Sequence, residues 1–125
     1  MSLDRQSTNT AYLLGRLFAV LEKAQKDAVP SANATIKDRY FGAASTTPRS
    51  VFPILLRLAQ HHIEKAKFGR VSDGRIEDII ANITQFPAHL SLEDQGMFAI
   101  GYYHQTQDFF TKKSEYVTPQ EAREP

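Results

Sequence analysis

Cysteine is absent from all 125 residues, which excludes a disulfide framework and any zinc site built on thiolates and fits a reducing compartment. No apolar run approaches the roughly 18 residues that cross a bilayer. The start, Met1-Ser2-Leu3-Asp4, lacks a basic region followed by an apolar stretch, so no secretory signal is read and the expected location is cytoplasmic, with no membrane partner. Neither sign of charge dominates: fifteen Lys and Arg face fourteen Asp and Glu, a net charge of +1. A protein that binds nucleic acid through bulk charge is usually more basic. Any such surface here must come from segregating charge, and the acids help, since six of the fourteen lie from Glu93 onward. Residues 1–92 hold twelve basic and eight acidic side chains. There is no internal repeat, no low-complexity block and no glycine-rich phosphate loop.

What is present is ordinary globular composition, 42% apolar and 23% charged, enough for one domain with one core. Periodicity and punctuation predict an all-α, single-domain bundle of five helices with short loops. The first spans Thr10 to Ala28 behind Thr8 or Asn9 as cap, with Leu13, Leu14, Leu17, Phe18, Leu21, Ala24 and Ala28 on one broad apolar face. Val29-Pro30-Ser31 ends it, because proline cannot continue the ladder. The second spans Ala34 to Ala44 behind Asn33. Thr47-Pro48 reads as a cap followed by a first-turn proline, opening a third helix that runs to Lys67 and stops at Gly69. Pro53 either kinks that helix or marks a start nearer Ser50. Its apolar arc, from Val51 and Phe52 to Ile63 and Ala66, is the widest, so it is expected to be the central helix. The fourth is expected from Gly74 to Thr84 behind Ser72 or Asp73, since Ile76, Ile79, Ile80 and Ile83 recur at helical spacing. Ser91-Leu92-Glu93-Asp94 opens the fifth in the manner of a capping box, and the pattern carries it to Lys112. Residues 1–112 thus form the bundle, and 113–125 a polar tail expected to be disordered.

Catalytic signals are weak. His61 and His62 are neighbours on a helix and point about 100° apart, a poor metal pair, and the two-His-with-Glu signature of metalloproteases is absent. His104 and Asp108 lie one turn apart, as an oriented imidazole would require. No serine or cysteine nucleophile sits in a recognisable turn beside them. The expectation is a protein without catalytic residues, metal or cofactor.

Two features suggest binding. In the fifth helix, Gly96 and Gly101 each cost on the order of 1 kcal/mol against alanine, which is tolerated where another backbone or a partner comes close. Phe98, Tyr102 and Phe109 share one face there, flanked by Tyr103 and Phe110, while Gly101, His104, Asp108 and Met97 lie toward the other. Gly96, Phe98, Gly101, Tyr102, Tyr103 and His104 are therefore candidates for a packing or partner interface. The second feature is basic residues in rows. Arg16, Lys23 and Lys26 fall away from the leucines of the first helix, and Arg49, Arg57 and Lys67 follow the polar strip of the third. Lys37, Arg39 and Arg70 stand near enough in sequence to join them. Such rows suit a phosphate backbone without reading bases.

Four stretches carry a resemblance: Asn9-Thr10-Ala11-Tyr12-Leu13-Leu14-Gly15-Arg16-Leu17-Phe18; Arg39 to Ser45 running into Thr47-Pro48; Val51-Phe52-Pro53 with His61-His62; and Gln95-Gly96, Phe98 and Gly101-Tyr102-Tyr103-His104-Gln105. In this order and spacing the chain resembles the C-terminal helical region of the large subunit of the type I-C CRISPR surveillance complex, Cascade, over about Thr8 to Lys112. In that family the region is also made separately, by internal translation initiation, as the small subunit, and a chain starting at Met1 just before the first helix looks like that product. The resemblance implies a non-enzymatic bundle in contact with the large and backbone subunits and a second copy of itself. It would support the crRNA–target duplex and hold the displaced single-stranded DNA, stabilising the R-loop. Cleavage would fall to a separately recruited helicase-nuclease.

Overall fold

The computed structural model describes residues 3–29, 36–65 and 69–123, with side chains for 3–29, 36–64 and 71–111. These form α1 (Thr10–Ala28), α2 (Ile36–Thr46), α3 (Pro48–Lys65), α4 (Gly69–Ile80) and α5 (Leu92–Arg123), with no strand among them. The all-α, single-domain bundle expected from periodicity is the observed architecture. None of the helices is long and apolar enough to cross a membrane, among the described residues.

Local chemistry places most helix ends. Asn9 caps α1, its Oδ1 accepting the Tyr12 amide at 2.9 Å, which satisfies one of the amides that a first turn leaves without a partner. Ser91 does the same for α5 through the Asp94 amide at 3.1 Å. At α2 the Ile36 amide donates to the Gln25 side chain of α1 at 2.9 Å; the predicted cap Asn33 lies outside the described residues. Pro53 stands inside α3, which begins at Pro48. At the sixth helical position, past the amides that lack an internal acceptor, the ring removes one ladder bond, the one to the Arg49 carbonyl, and the helix persists.

Three expectations are corrected. The isoleucine stripe predicts a fourth helix from Gly74 to Thr84, whereas α4 is Gly69–Ile80. Ser72 is buried inside it rather than capping it, and the chain leaves through tight turns, Asn82 N to Ile79 O and Ile83 N to Ile80 O, at 3.1 and 2.9 Å. Secondly, α5 continues past Lys112 to Arg123; no glycine or proline interrupts the ladder between Gly101 and Pro119. Thirdly, the central helix is α1, not α3. Every residue from Ala11 to Glu22 is buried, and α1 packs against all four other helices, most extensively against α5. α3 turns part of its wide arc outward, leaving Ile54 and Leu58 exposed.

The core is aromatic at its middle. Phe18 of α1 meets Phe41 of α2 and both Phe98 and Tyr102 of α5 edge-on, with centroids 5.5, 6.0 and 5.8 Å away, the geometry ring quadrupoles favour. The loop between α4 and α5 is tied to the α2–α3 junction. Phe86 stacks on Phe52 at 5.3 Å, the Leu90 amide donates to Thr46 O at 2.9 Å, and the Arg49 amide to Pro87 O at 3.0 Å.

Candidate nucleic-acid interface

α1 and α5 cross where two glycines meet the opposite backbone. A Cβ built on Gly15 would run into the carbonyl oxygen of Phe98, and one on Gly101 into that of Tyr12. Close approach of this kind brings side chains flanking the crossing within reach of short polar contacts. The Tyr12 hydroxyl and Nδ1 of His104 are hydrogen-bonded at 2.7 Å. Arg16 Nε donates to Gln105 Oε1 at 3.0 Å, and the Tyr102 hydroxyl to Glu22 Oε1 at 2.5 Å. Outside them Arg5 pairs with Asp108 at 2.8 Å. Four polar links therefore span the crossing, two of them buried.

This seam redistributes the candidates from the fifth helix. Phe98, Gly101, Tyr102 and His104 all turn inward, and Gly101 supplies the close packing its cost predicts. The two faces inferred from the helical wheel are both occupied: Phe98 and Tyr102 by the aromatic core, Gly101, His104 and Asp108 by α1 and the segment before it. Gly96 and Tyr103 turn outward, and a Cβ on Gly96 would meet nothing within 4 Å. Asp108 faces Arg5 and the His104 Nδ1 faces Tyr12, so each group of the expected His–Asp pair has a partner on another element. Among the described residues no group of three His, Asp or Glu side chains could hold a metal ion. Gly15, Glu22 and Gln105 complete the seam and were not singled out from sequence. A glycine mid-helix signals Gly15 by the same logic that points to Gly101.

Arg16 leaves the basic row. It is only 7% exposed, because α1 is enclosed on its polar side as well. Burial, and then the charge of Arg5, push its guanidinium below the ordinary value. Arg16→Ala should therefore lower unfolding free energy by roughly 1–3 kcal/mol, orphaning Gln105. Urea melts would check this, and a variant as stable as wild type would count against a buried Arg16–Gln105 bond.

The other basic side chains are distributed as follows. Lys23 pairs with Asp27 at 2.7 Å, and Lys26 approaches Glu22 at 3.9 Å. Lys37 lies over the rings of Tyr102 and Tyr103, 5.2 and 5.4 Å from their centroids. Arg49 is exposed, yet its Nε donates to Phe86 O at 3.2 Å, so it also braces the α4–α5 loop. Arg39 and Arg57 are exposed on the packed helices α2 and α3, with no ion pair to either among the described residues. Lys67 and the Arg70 side chain lie outside the described residues.

Outward on α5 stand Leu92, Gly96 and Ile100, then Tyr103 and Phe110, which are 52% and 64% exposed. Between α1 and α5 runs a groove of about 180 Å³, with Ala19, Phe109 and Phe110 as its apolar lining and Lys23 and Lys26 among its polar groups. Arg75 of α4 covers Phe109, 4.7 Å from the ring centroid.

The family model described as CRISPR-associated protein (Cas_Csd1) matches residues 1–110. No curated protein matches the chain.

Proposed function

This chain belongs to the CRISPR-associated Cas_Csd1 family, and from that premise we propose that it is the non-catalytic small subunit of a type I-C Cascade. In this reading it docks on the large and backbone subunits and a second copy of itself. It holds the displaced DNA strand through sequence-independent phosphate contacts and supports the crRNA–target duplex. Exchange of a DNA duplex for an RNA–DNA duplex is nearly balanced in free energy, so a few backbone contacts suffice to tip it.

The observation that supports strand contact is the pair Arg39 and Arg57. Two guanidiniums stand exposed on neighbouring helices, and no salt bridge to either forms among the described residues. Charge reversal, Arg39→Glu with Arg57→Glu, is expected to cut R-loop yield severalfold or more in a reconstituted complex while assembly proceeds. Unchanged yield in a fully assembled complex would rule this surface out. Arg49 is less suitable for that test, because its bond to Phe86 makes a folding defect hard to separate from lost binding.

A second reading, a structural adaptor without nucleic-acid contact, is favoured by Leu92 and Ile100. They are 86% and 44% exposed on one face of α5 around Gly96, an arrangement suited to an apposed helix. Salt separates the two: strand affinity that falls steeply with salt reports released counterions, hence phosphate contacts.

A further inference from the structure

Where α2 meets α5, three rings close around one ammonium. The Nζ of Lys37 lies over Phe41, Tyr102 and Tyr103, 5.9, 5.2 and 5.4 Å from their centroids. Each distance falls within the roughly 6 Å at which a ring face attracts a cation. Phe41 stands edge-on to Tyr102, and Tyr102 to Tyr103, each pair at 79°, so the rings form walls around a shared space and do not stack it shut. The core fixes the two inner walls. Phe41 meets Phe18 and Phe98 edge-on, and the Tyr102 hydroxyl donates to the buried Glu22 carboxylate, whose charge behind that wall adds attraction for a cation. Tyr103 is the outer wall and is exposed, so the space opens to solvent there.

Lys37 is a poorly matched occupant. A primary ammonium is a compact, strongly hydrated charge and must shed water to sit among rings. Lys37 also stands second in α2, in the first turn, where the helix dipole disfavours a positive charge. No salt bridge to it forms among the described residues. What favours Lys37 is its tether, which sets its effective concentration at the rings on the order of millimolar. A quaternary ammonium spreads the same charge over methyl groups, gives up less hydration and touches all three walls at once, which is how aromatic cages recognise such ligands.

We propose that Phe41, Tyr102 and Tyr103 form a binding site for a quaternary ammonium ligand of the choline type, and that Lys37 is the tethered cation that fills it until such a ligand displaces it. Displacement frees the Lys37 ammonium and unpins the first turn of α2 from α5. The site takes a cation, the opposite of a phosphate, so it stands apart from strand holding and either can fail without the other.

Choline and its neutral carbon isostere dimethylbutanol, which has the same shape without the charge, distinguish a cage from an apolar cleft. Both are titrated at constant ionic strength into the full chain and into Lys37→Ala, with the tyrosine ring resonances as readout. In the wild type the ring faces should shift the Lys37 ε-methylene protons upfield, and saturating choline should return them toward their ordinary position. Lys37→Ala should bind choline about tenfold more tightly than the wild type does, and bind the alcohol about tenfold more weakly than choline. Adding Tyr103→Ala, which removes an exposed ring and leaves the core intact, should abolish the choline response. Equal affinity for choline and the alcohol, or no choline binding to folded Lys37→Ala, overturns the cage. Equal choline affinity with and without Lys37 overturns its part as the occupant. Should Lys37→Ala fail to fold, the wild-type resonances decide: Lys37 methylenes without a ring shift, or unmoved by choline, overturn the proposal.

Discussion

Gly15→Ala and Gly101→Ala are each expected to lower unfolding free energy by roughly 3 kcal/mol or more, the upper end of what overpacking does. The added Cβ at position 15 would overlap Phe98 O and sit 2.8 Å from the Tyr102 amide nitrogen; at position 101 it would overlap Tyr12 O. Backbone atoms held in two helical ladders cannot rotate aside as a side chain would. The helices must separate instead, and the loss spreads to the Tyr12–His104, Arg16–Gln105 and Tyr102–Glu22 bonds, whose lengths depend on that separation. Against a total stability of roughly 5–15 kcal/mol such a loss is large. Gly42, Gly74 and Gly96 are the controls, since a Cβ there meets nothing within 4 Å. Alanine at those helical sites should stabilise by about 0.5–1 kcal/mol. Urea unfolding of the five variants would show the split. Gly15→Ala or Gly101→Ala within about 0.5 kcal/mol of wild type would mean that the helices do not touch as described.

Tyr102→Phe should cost about 2–3 kcal/mol by leaving the Glu22 carboxyl, 4% exposed, without the hydroxyl that donates to it. Removing both polar ends, as in Glu22→Leu with Tyr102→Phe, should recover part of that loss, because two apolar groups leave no orphan. A double-mutant cycle by thermal unfolding measures the difference; a double variant as unstable as the sum of the singles would count against a direct bond. The pair also predicts a pH effect. Burial foremost, then the hydrogen bond and charge of Glu22, raise the Tyr102 phenol well above its ordinary value of 10. In the unfolded chain the phenol ionises near pH 10, while in the fold it keeps its proton, so the unfolded state binds fewer protons above that point. Stability is therefore full below pH 10 and falls as pH rises beyond it. The part of that fall due to this residue should vanish in Tyr102→Phe.

Much of the fold was legible because its signals are local. Asn9 and Ser91 cap the helices they were expected to open, and Thr10–Ala28 follows from a leucine pattern closed by Val29-Pro30. Where two local signals competed, sequence chose wrongly. The isoleucines of α4 suggested a start at Gly74, yet the helix begins at Gly69 with Ser72 buried, because packing against α1 rewards helix there more than a serine cap would. Width of apolar arc likewise named α3 as the centre, although an arc records hydrophobicity and not how many neighbours cover it.

The candidate sites show the same division. Periodicity identified Phe98 and Tyr102 as one face of α5 and recognised that Gly101 marks close approach. Gly15, Gly101 and Gly96 carry the same local penalty, however, and only the crossing of α1 and α5 shows that the first two meet backbone while the third faces open space. A helical wheel likewise puts Arg16, Lys23 and Lys26 on one polar side. It cannot tell that α5 brings Gln105 over Arg16 and shuts it from solvent while Lys26 remains outside. Composition and spacing thus establish an all-α domain of five helices and where most of them end, because those depend on neighbours a few residues away. Which helix is enclosed, which arginine is structural and which rings stay exposed depend on pairs such as Arg16 with Gln105 and Glu22 with Tyr102, many turns apart in sequence, where local chemistry has no reach.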